Sequence, residues 1–109
     1  THHLVDNKLL SQLPPGASFI NASRGGVVKD DDLIEGLDRG HISEATLDAF
    51  DVEPLPADHP YWAHPRVTVT PHCASAATAE AVAARLREVI ETVERGEVPT
   101  PVVNRDVGY

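Results

Sequence analysis

The spacing of apolar residues changes several times along the chain, and each change marks an element. Asp6-Asn7-Lys8-Leu9-Leu10-Ser11-Gln12-Leu13 predicts a short helix capped by Asp6, with Leu9, Leu10 and Leu13 on one face and Pro14-Pro15-Gly16 as its stop. The run Ala17-Ser18-Phe19-Ile20 predicts a strand over about Ser18–Ala22, followed by a turn at Gly25-Gly26. Asp30-Asp31-Asp32 opens a second helix, because acids suit the positive end of a helix dipole. Leu33, Ile34 and Leu37 give its buried face and Gly40 ends it. Strands are expected over about Ala45–Ala49 and about Val67–Thr70. Between them, Pro54, Pro56, Pro60 and Pro65 exclude a continuous helix over residues 51–66. A connection that long, with Tyr61 and Trp62 to bury, is expected to be ordered and functional. The longest pattern places Val82, Leu86, Val89, Ile90 and Val93 at helical spacing within Ala76–Arg95, with Ser75 as cap and Gly96 as stop. Pro99 and Pro101 make the tail extended.

This order predicts an α/β fold: an open parallel sheet of three strands with flanking helices. The first strand has an unpaired edge unless residues upstream cover it. The chain also holds no methionine and begins on Thr1-His2-His3, which reads as mid-sequence. Both point to a fragment of a longer protein.

Composition narrows the partners. A chain of 109 residues, 41% hydrophobic, supports one domain with a core. The net charge of −8 argues against nucleic acid or an anionic membrane as partner. The single cysteine, Cys73, has no internal disulfide partner, which suits a cytoplasmic location. No apolar run nears the roughly 20 residues of a membrane span, and no signal peptide is evident.

The candidate chemistry lies just past the strands. In an open parallel sheet, ligands bind outside the carboxyl ends of the strands, so Arg24, Asp48 and His72 should share one rim. Arg24 offers a planar fork that matches a carboxylate; the alternative is a surface arginine on a turn. His72 is a natural acid/base, although a lone histidine is more often structural. Glu53, on the long loop, strengthens the case. A carboxylate bonded to one imidazole nitrogen fixes the tautomer and favours imidazolium. Its bland reading is a solvated loop acid. Asp48 follows an apolar strand and needs a partner: a helix cap, an ion pair with Arg66 or Lys29, or an amide such as a nicotinamide carboxamide. His59, His64, His72 and Cys73 match no zinc spacing, so no metal is expected. A nucleophilic Ser75 or Cys73 lacks the Gly-x-Ser-x-Gly elbow. There is also no Gly-x-Gly-x-x-Gly to cradle a pyrophosphate.

Three motifs in order carry a resemblance: Asn21-Ala-Ser-Arg24-Gly-Gly, Leu47-Asp48-Ala-Phe50-Asp-Val-Glu53-Pro-Leu-Pro56 and Pro71-His72-Cys-Ala-Ser75. Together they resemble the carboxyl-terminal part of D-isomer-specific 2-hydroxyacid dehydrogenases, over essentially the whole chain. The segment Pro56–Pro71 and the ending Asn104–Tyr109 look most like the glyoxylate/hydroxypyruvate reductase branch. The resemblance implies an NAD- or NADP-dependent oxidoreductase acting on a small 2-oxo or 2-hydroxy acid, as a homodimer when intact. It assigns catalysis to Arg24, Glu53 and His72. Coenzyme contacts would fall to Ala22, Ser23, Arg24, Asp48, His72 and Ser75. Residues 1–96 would be the carboxyl-terminal part of the NAD(P)-binding Rossmann domain, the second half of a Rossmann-type doubly wound parallel sheet, and 97–109 an extended tail returning towards an absent substrate domain. The glycine-rich loop and substrate domain of the family are not in this sequence, and Cys73 stands where the family usually has an aliphatic residue. Two other readings are a truncated, non-catalytic nucleotide-binding or dimerisation module, and an unrelated anion-binding α/β domain.

Overall fold

The computed structural model describes residues 1–106, so the last three residues of the ending Asn104–Tyr109 lie outside the described ones. The chain forms two compact units, Thr1–Ser75 and a second that begins at Ala76. In the first unit, β1 (Ala17–Asn21), β2 (Ile42–Leu47) and β3 (Val67–Val69) form one parallel sheet in the order β1-β2-β3. This is the predicted open α/β arrangement.

The core sits between the sheet and α2 (Asp30–Asp38). Leu33 and Leu37 of α2 are fully buried with Ile42 and Leu47 of β2, and Ile34 packs at the margin. The three aspartates of the first turn of α2 complement its dipole. One of them, Asp32, also accepts the Asn7 backbone N–H at 2.7 Å and pairs with Lys29 at 2.9 Å.

Several boundaries differ from the sequence reading. The first helix, α1, covers only Asn7–Leu10, capped by Asp6, whose carboxylate accepts the Leu9 N–H at 2.9 Å. Leu10 is buried, but Leu9 is exposed: one turn of helix has a single face against the core. β2 begins three residues before Ala45 because Gly40, at φ +72°, turns the chain straight out of α2. It ends at Leu47 because the Asp48 side chain leaves the sheet for a loop partner.

The connection 51–66 is ordered around one aromatic rather than two. Tyr61 is buried and donates to Asp30 Oδ1 at 2.9 Å. Burial, with Asp30 beside it, pushes its phenol pKa up. Trp62 stays half-exposed, its indole N–H donating to the Pro56 carbonyl at 2.9 Å.

The second unit contains α3 (Ala79–Glu94). Its cap is Thr78, which accepts the Ala81 N–H at 3.2 Å, and not Ser75. Thr78 is in extended geometry, φ −71° and ψ 152°, so the helix begins only after it. The stripe Val82, Leu86, Ile90 and Val93 is exposed on α3. Among the described residues, no helix is long and apolar enough to cross a membrane.

Candidate active site

The sheet register decides what meets at its carboxyl edge. Asn21 pairs with Leu47, and Leu47 pairs with Val69, so the three strands end in one row. The segments that leave this row carry Arg24, Asp48 and His72 respectively.

The first segment is shaped by Asn21, which is 6% exposed. Its Oδ1 accepts the Ser23 N–H at 3.1 Å and the Ser23 hydroxyl at 2.8 Å, while its Nδ2 donates to the Arg24 carbonyl at 3.0 Å. Ala22, Ser23 and Arg24 are exposed beyond it. The Arg24 guanidinium donates to the Ser23 carbonyl at 2.7 Å. Beyond Arg24, residues 25–27 make one tight 3₁₀ turn. This turn is held from the amino-terminal side, where His3 and Val5 donate to the carbonyls of Gly26 and Val27 at 2.8 and 2.9 Å. Gly25 is buried against the backbone of Phe50 and Asp51. The loop bearing Arg24 therefore touches the loop bearing Glu53.

Asp48, 3% exposed, forms neither the helix cap nor the ion pair that the sequence left open. Arg66 donates instead to the Leu37 carbonyl, and Lys29 pairs with Asp32. The Asp48 carboxylate accepts from the Thr70 hydroxyl at 2.5 Å and from the backbone N–H groups of Cys73 and Ala74 at 2.9 and 2.8 Å. These bonds, the Thr70 hydroxyl first, hold its carboxyl at about 2. The depressed pKa means that this anchor contributes stability in full above the usual aspartate pKa of about 4 and loses it as pH falls through about 2. The urea midpoint of the wild-type protein should therefore drop more between about pH 5 and about pH 2 than that of Asp48→Asn. Parallel curves would mean that the anchor does not titrate in this window.

His72 follows from the segment Asp48 pins. It sits at φ +52°, a left-handed conformation uncommon for any residue but glycine. Its Nδ1 lies 2.8 and 3.0 Å from the two Glu53 carboxylate oxygens. Glu53 is fixed in turn by the Phe50 N–H, which donates to Oε1 at 2.9 Å. The bonds from His72 and then Phe50 hold the Glu53 carboxyl below the usual range, with the nearby Arg24 guanidinium adding to the effect. Among the described residues, His72 Nε2 has no hydrogen-bond partner. An apolar cleft of about 490 Å³ opens beside the pair, lined by Phe50, Leu55, Trp62 and Val69, with Glu53 and His72 on its wall.

The histidines of the conceivable metal set separate. His59 and His64 go to Asp30 and Asp38, away from Glu53 and His72. Ser75 is exposed and makes no side-chain hydrogen bond among the described residues. Two residues that shape the rim, Asn21 and Thr70, carry no role in the sequence reading, although Asn21 heads the first motif. Asn21 directly follows an apolar strand run and opens a small-residue turn, which is the signal that could have found it.

A family model described as the NAD-binding domain of D-isomer-specific 2-hydroxyacid dehydrogenases matches residues 1–74. The chain belongs to that family. Over all 109 residues it is 41% identical to glyoxylate/hydroxypyruvate reductase A of Serratia proteamaculans, of which it covers 35%. The chain thus spans about a third of the length of the curated relatives it matches. The family's solved structures agree. A D-isomer-specific 2-hydroxyacid dehydrogenase of Xanthobacter autotrophicus Py2, in complex with NADPH and MES, is 47% identical with a TM-score of 0.92, covering 100% of this chain and 45% of that one. The NADPH-dependent glyoxylate/hydroxypyruvate reductase of Sinorhizobium meliloti, in complex with NADP and sulfate, is 36% identical with a TM-score of 0.89, covering 100% of this chain and 36% of that one.

Proposed function

We propose that this dehydrogenase-family chain supplies the catalytic rim of an NADP- or NAD-dependent reductase of small 2-oxo acids of the glyoxylate or hydroxypyruvate kind. The observation that carries the reading is the Glu53–His72 pair, 2.8 Å apart on the same strand-end rim as Arg24. The NADPH and NADP complexes of the two structural relatives favour NADP.

The residues fit the nicotinamide end of such a coenzyme. Ala22, Ser23 and Arg24 are exposed past β1, and among the described residues Asp48 Oδ2 accepts one N–H, from Ala74, leaving a lone pair for a carboxamide. The chain has no glycine-rich motif for the pyrophosphate. When bound, the reduced coenzyme supplies a hydride to the substrate's C2. Arg24 holds the substrate carboxylate by its fork. His72, with Glu53 on Nδ1, holds a proton at Nε2 and gives it to the carbonyl oxygen as negative charge develops there. One 2-oxo acid, one hydride and one proton make one 2-hydroxy acid. In the reverse direction His72 takes that proton back.

In the intact protein, residues 1–96 would complete a nucleotide-binding domain and residues 97–109 return towards a substrate domain. A cytoplasmic homodimer without nucleic-acid or membrane partners suits the acidic charge and the single cysteine. The test is NADPH and NADH oxidation at 340 nm by the complete gene product with glyoxylate and hydroxypyruvate. Turnover supports the reading. Silence from folded full-length protein overturns it in favour of a non-catalytic module. Arg24→Lys should raise KM for the oxo acid about tenfold to a hundredfold, because a point charge cannot reproduce the fork. An unchanged KM would place the carboxylate elsewhere.

A further inference from the structure

We propose that Asn21 is a positioning residue for Arg24, and that its amide, through both of its polar ends, sets the direction in which the guanidinium leaves the rim. The inference rests on the reading of Arg24 as the carboxylate-binding group.

The geometry is specific to an amide. Oδ1 takes two donors from Ser23, and Nδ2 takes the carbonyl of Arg24 itself. The three bonds fold residues 22–24 over one nearly buried side chain. The backbone of Asn21 joins the same arrangement, since its carbonyl accepts the Asp48 N–H at 2.9 Å across β1 and β2. Asn21 thus links the sheet edge, the acidic anchor of the His72 segment and the Arg24 carbonyl. The Arg24 side chain in turn bonds the Ser23 carbonyl, in the peptide that lies between the two peptides Asn21 holds.

No other short side chain reproduces this. An aspartate at position 21 keeps the acceptor for Ser23 but, ionised, sets an oxygen against the Arg24 carbonyl. A serine cannot span from Ser23 to Arg24. Either change leaves the loop at its length and frees its direction. A displacement of about 1 Å in a substrate clamp costs on the order of a hundredfold in rate.

The test is a double-mutant cycle in the full-length enzyme, with Asn21→Asp and Asn21→Ser each placed on wild type and on Arg24→Lys. Oxamate affinity by calorimetry and oxo-acid KM are the readouts. On wild type, each Asn21 variant should weaken oxamate and raise KM about tenfold or more. On Arg24→Lys, the same variants should add less than about twofold, because the fork they misdirect is already gone. Equal losses on both backgrounds, or a lowered melting temperature with unchanged oxamate affinity, would overturn the proposal. Should Asn21→Asp fail to fold, the Asn21→Ser arm decides by the same criterion. A wild-type enzyme that neither oxidises NADPH nor binds oxamate overturns the functional reading, and this inference falls with it. A working enzyme with an additive cycle removes this inference alone.

Discussion

His72→Ala in the full-length enzyme should lower kcat for oxo-acid reduction by roughly 100-fold to 10,000-fold. The expectation follows from how much of the structure is spent on one imidazole. Nδ1 is committed to Glu53, which fixes the tautomer and leaves Nε2 for the substrate oxygen. Asp48 holds the two residues that follow His72 through their N–H groups, and this supports its left-handed backbone at φ +52°. Alanine removes the proton donor and keeps the segment's anchor, so the loss belongs to the chemical step. Single-turnover reduction at 340 nm measures it. A rate within about threefold of wild type would remove His72 from the reaction and leave the Glu53 pair as an ordinary surface contact.

The second large effect concerns a residue with no side chain. A Cβ at Gly25 would lie 1.8 Å from the Phe50 carbonyl carbon, 2.1 Å from the Asp51 nitrogen and 2.3 Å from the Phe50 Cα. These are backbone atoms, so no rotamer change relieves the clash and the two loops must part. Arg24 stands on one side of this contact. On the other, the Phe50 N–H holds Glu53. Gly25→Ala should therefore destabilise the protein by about 3 kcal/mol and lower kcat/KM by about a hundredfold. Gly26→Ala is the control. Its Cβ meets only side-chain atoms, Asp51 Oδ1 at 3.0 Å and His2 at 3.5 Å, which rotate aside, so it should cost under about 1 kcal/mol. Denaturant midpoints and initial rates of the two variants separate the cases. Equal effects would mean that the loops tolerate separation.

The sheet and the three strand ends could be read from the sequence because their signals are local. A β-branched run, a glycine stop and an acidic helix start each lie within one short window. The placing of Arg24, Asp48 and His72 at those strand ends follows from the same local signals together with the rule that ligands bind at the carboxyl edge of an open parallel sheet. What fills the space between strands could not be read this way. Asp48 finds its partners in Thr70, Cys73 and Ala74, more than 20 residues along the chain, and two of those partners are backbone amides that any residue would offer. The contact at Gly25 is equally silent: a glycine pair signals a turn whether or not another loop presses on it. The start of α3 is not legible because Ser75 and Thr78 are both caps by type, and the serine, the better of the two by type, is not the one used. Trp62 was expected inside because it is aromatic. The single buried place in its loop goes to Tyr61, whose hydroxyl reaches Asp30 while its ring fills the core.

That last anchor bears on how this loop can change length over evolutionary time. The connection is fastened near one end by Glu53 and near the other by Tyr61, and its most open turn runs from Pro56 to His59, with Ala57 and Asp58 exposed. Residues inserted between Ala57 and Asp58 would lengthen a span whose two fastenings stay fixed. The entropic cost of such growth rises only with the logarithm of the added length. An insertion at this point would lengthen the loop beside the cleft and leave the 2.8 Å contact between Glu53 and His72 in place.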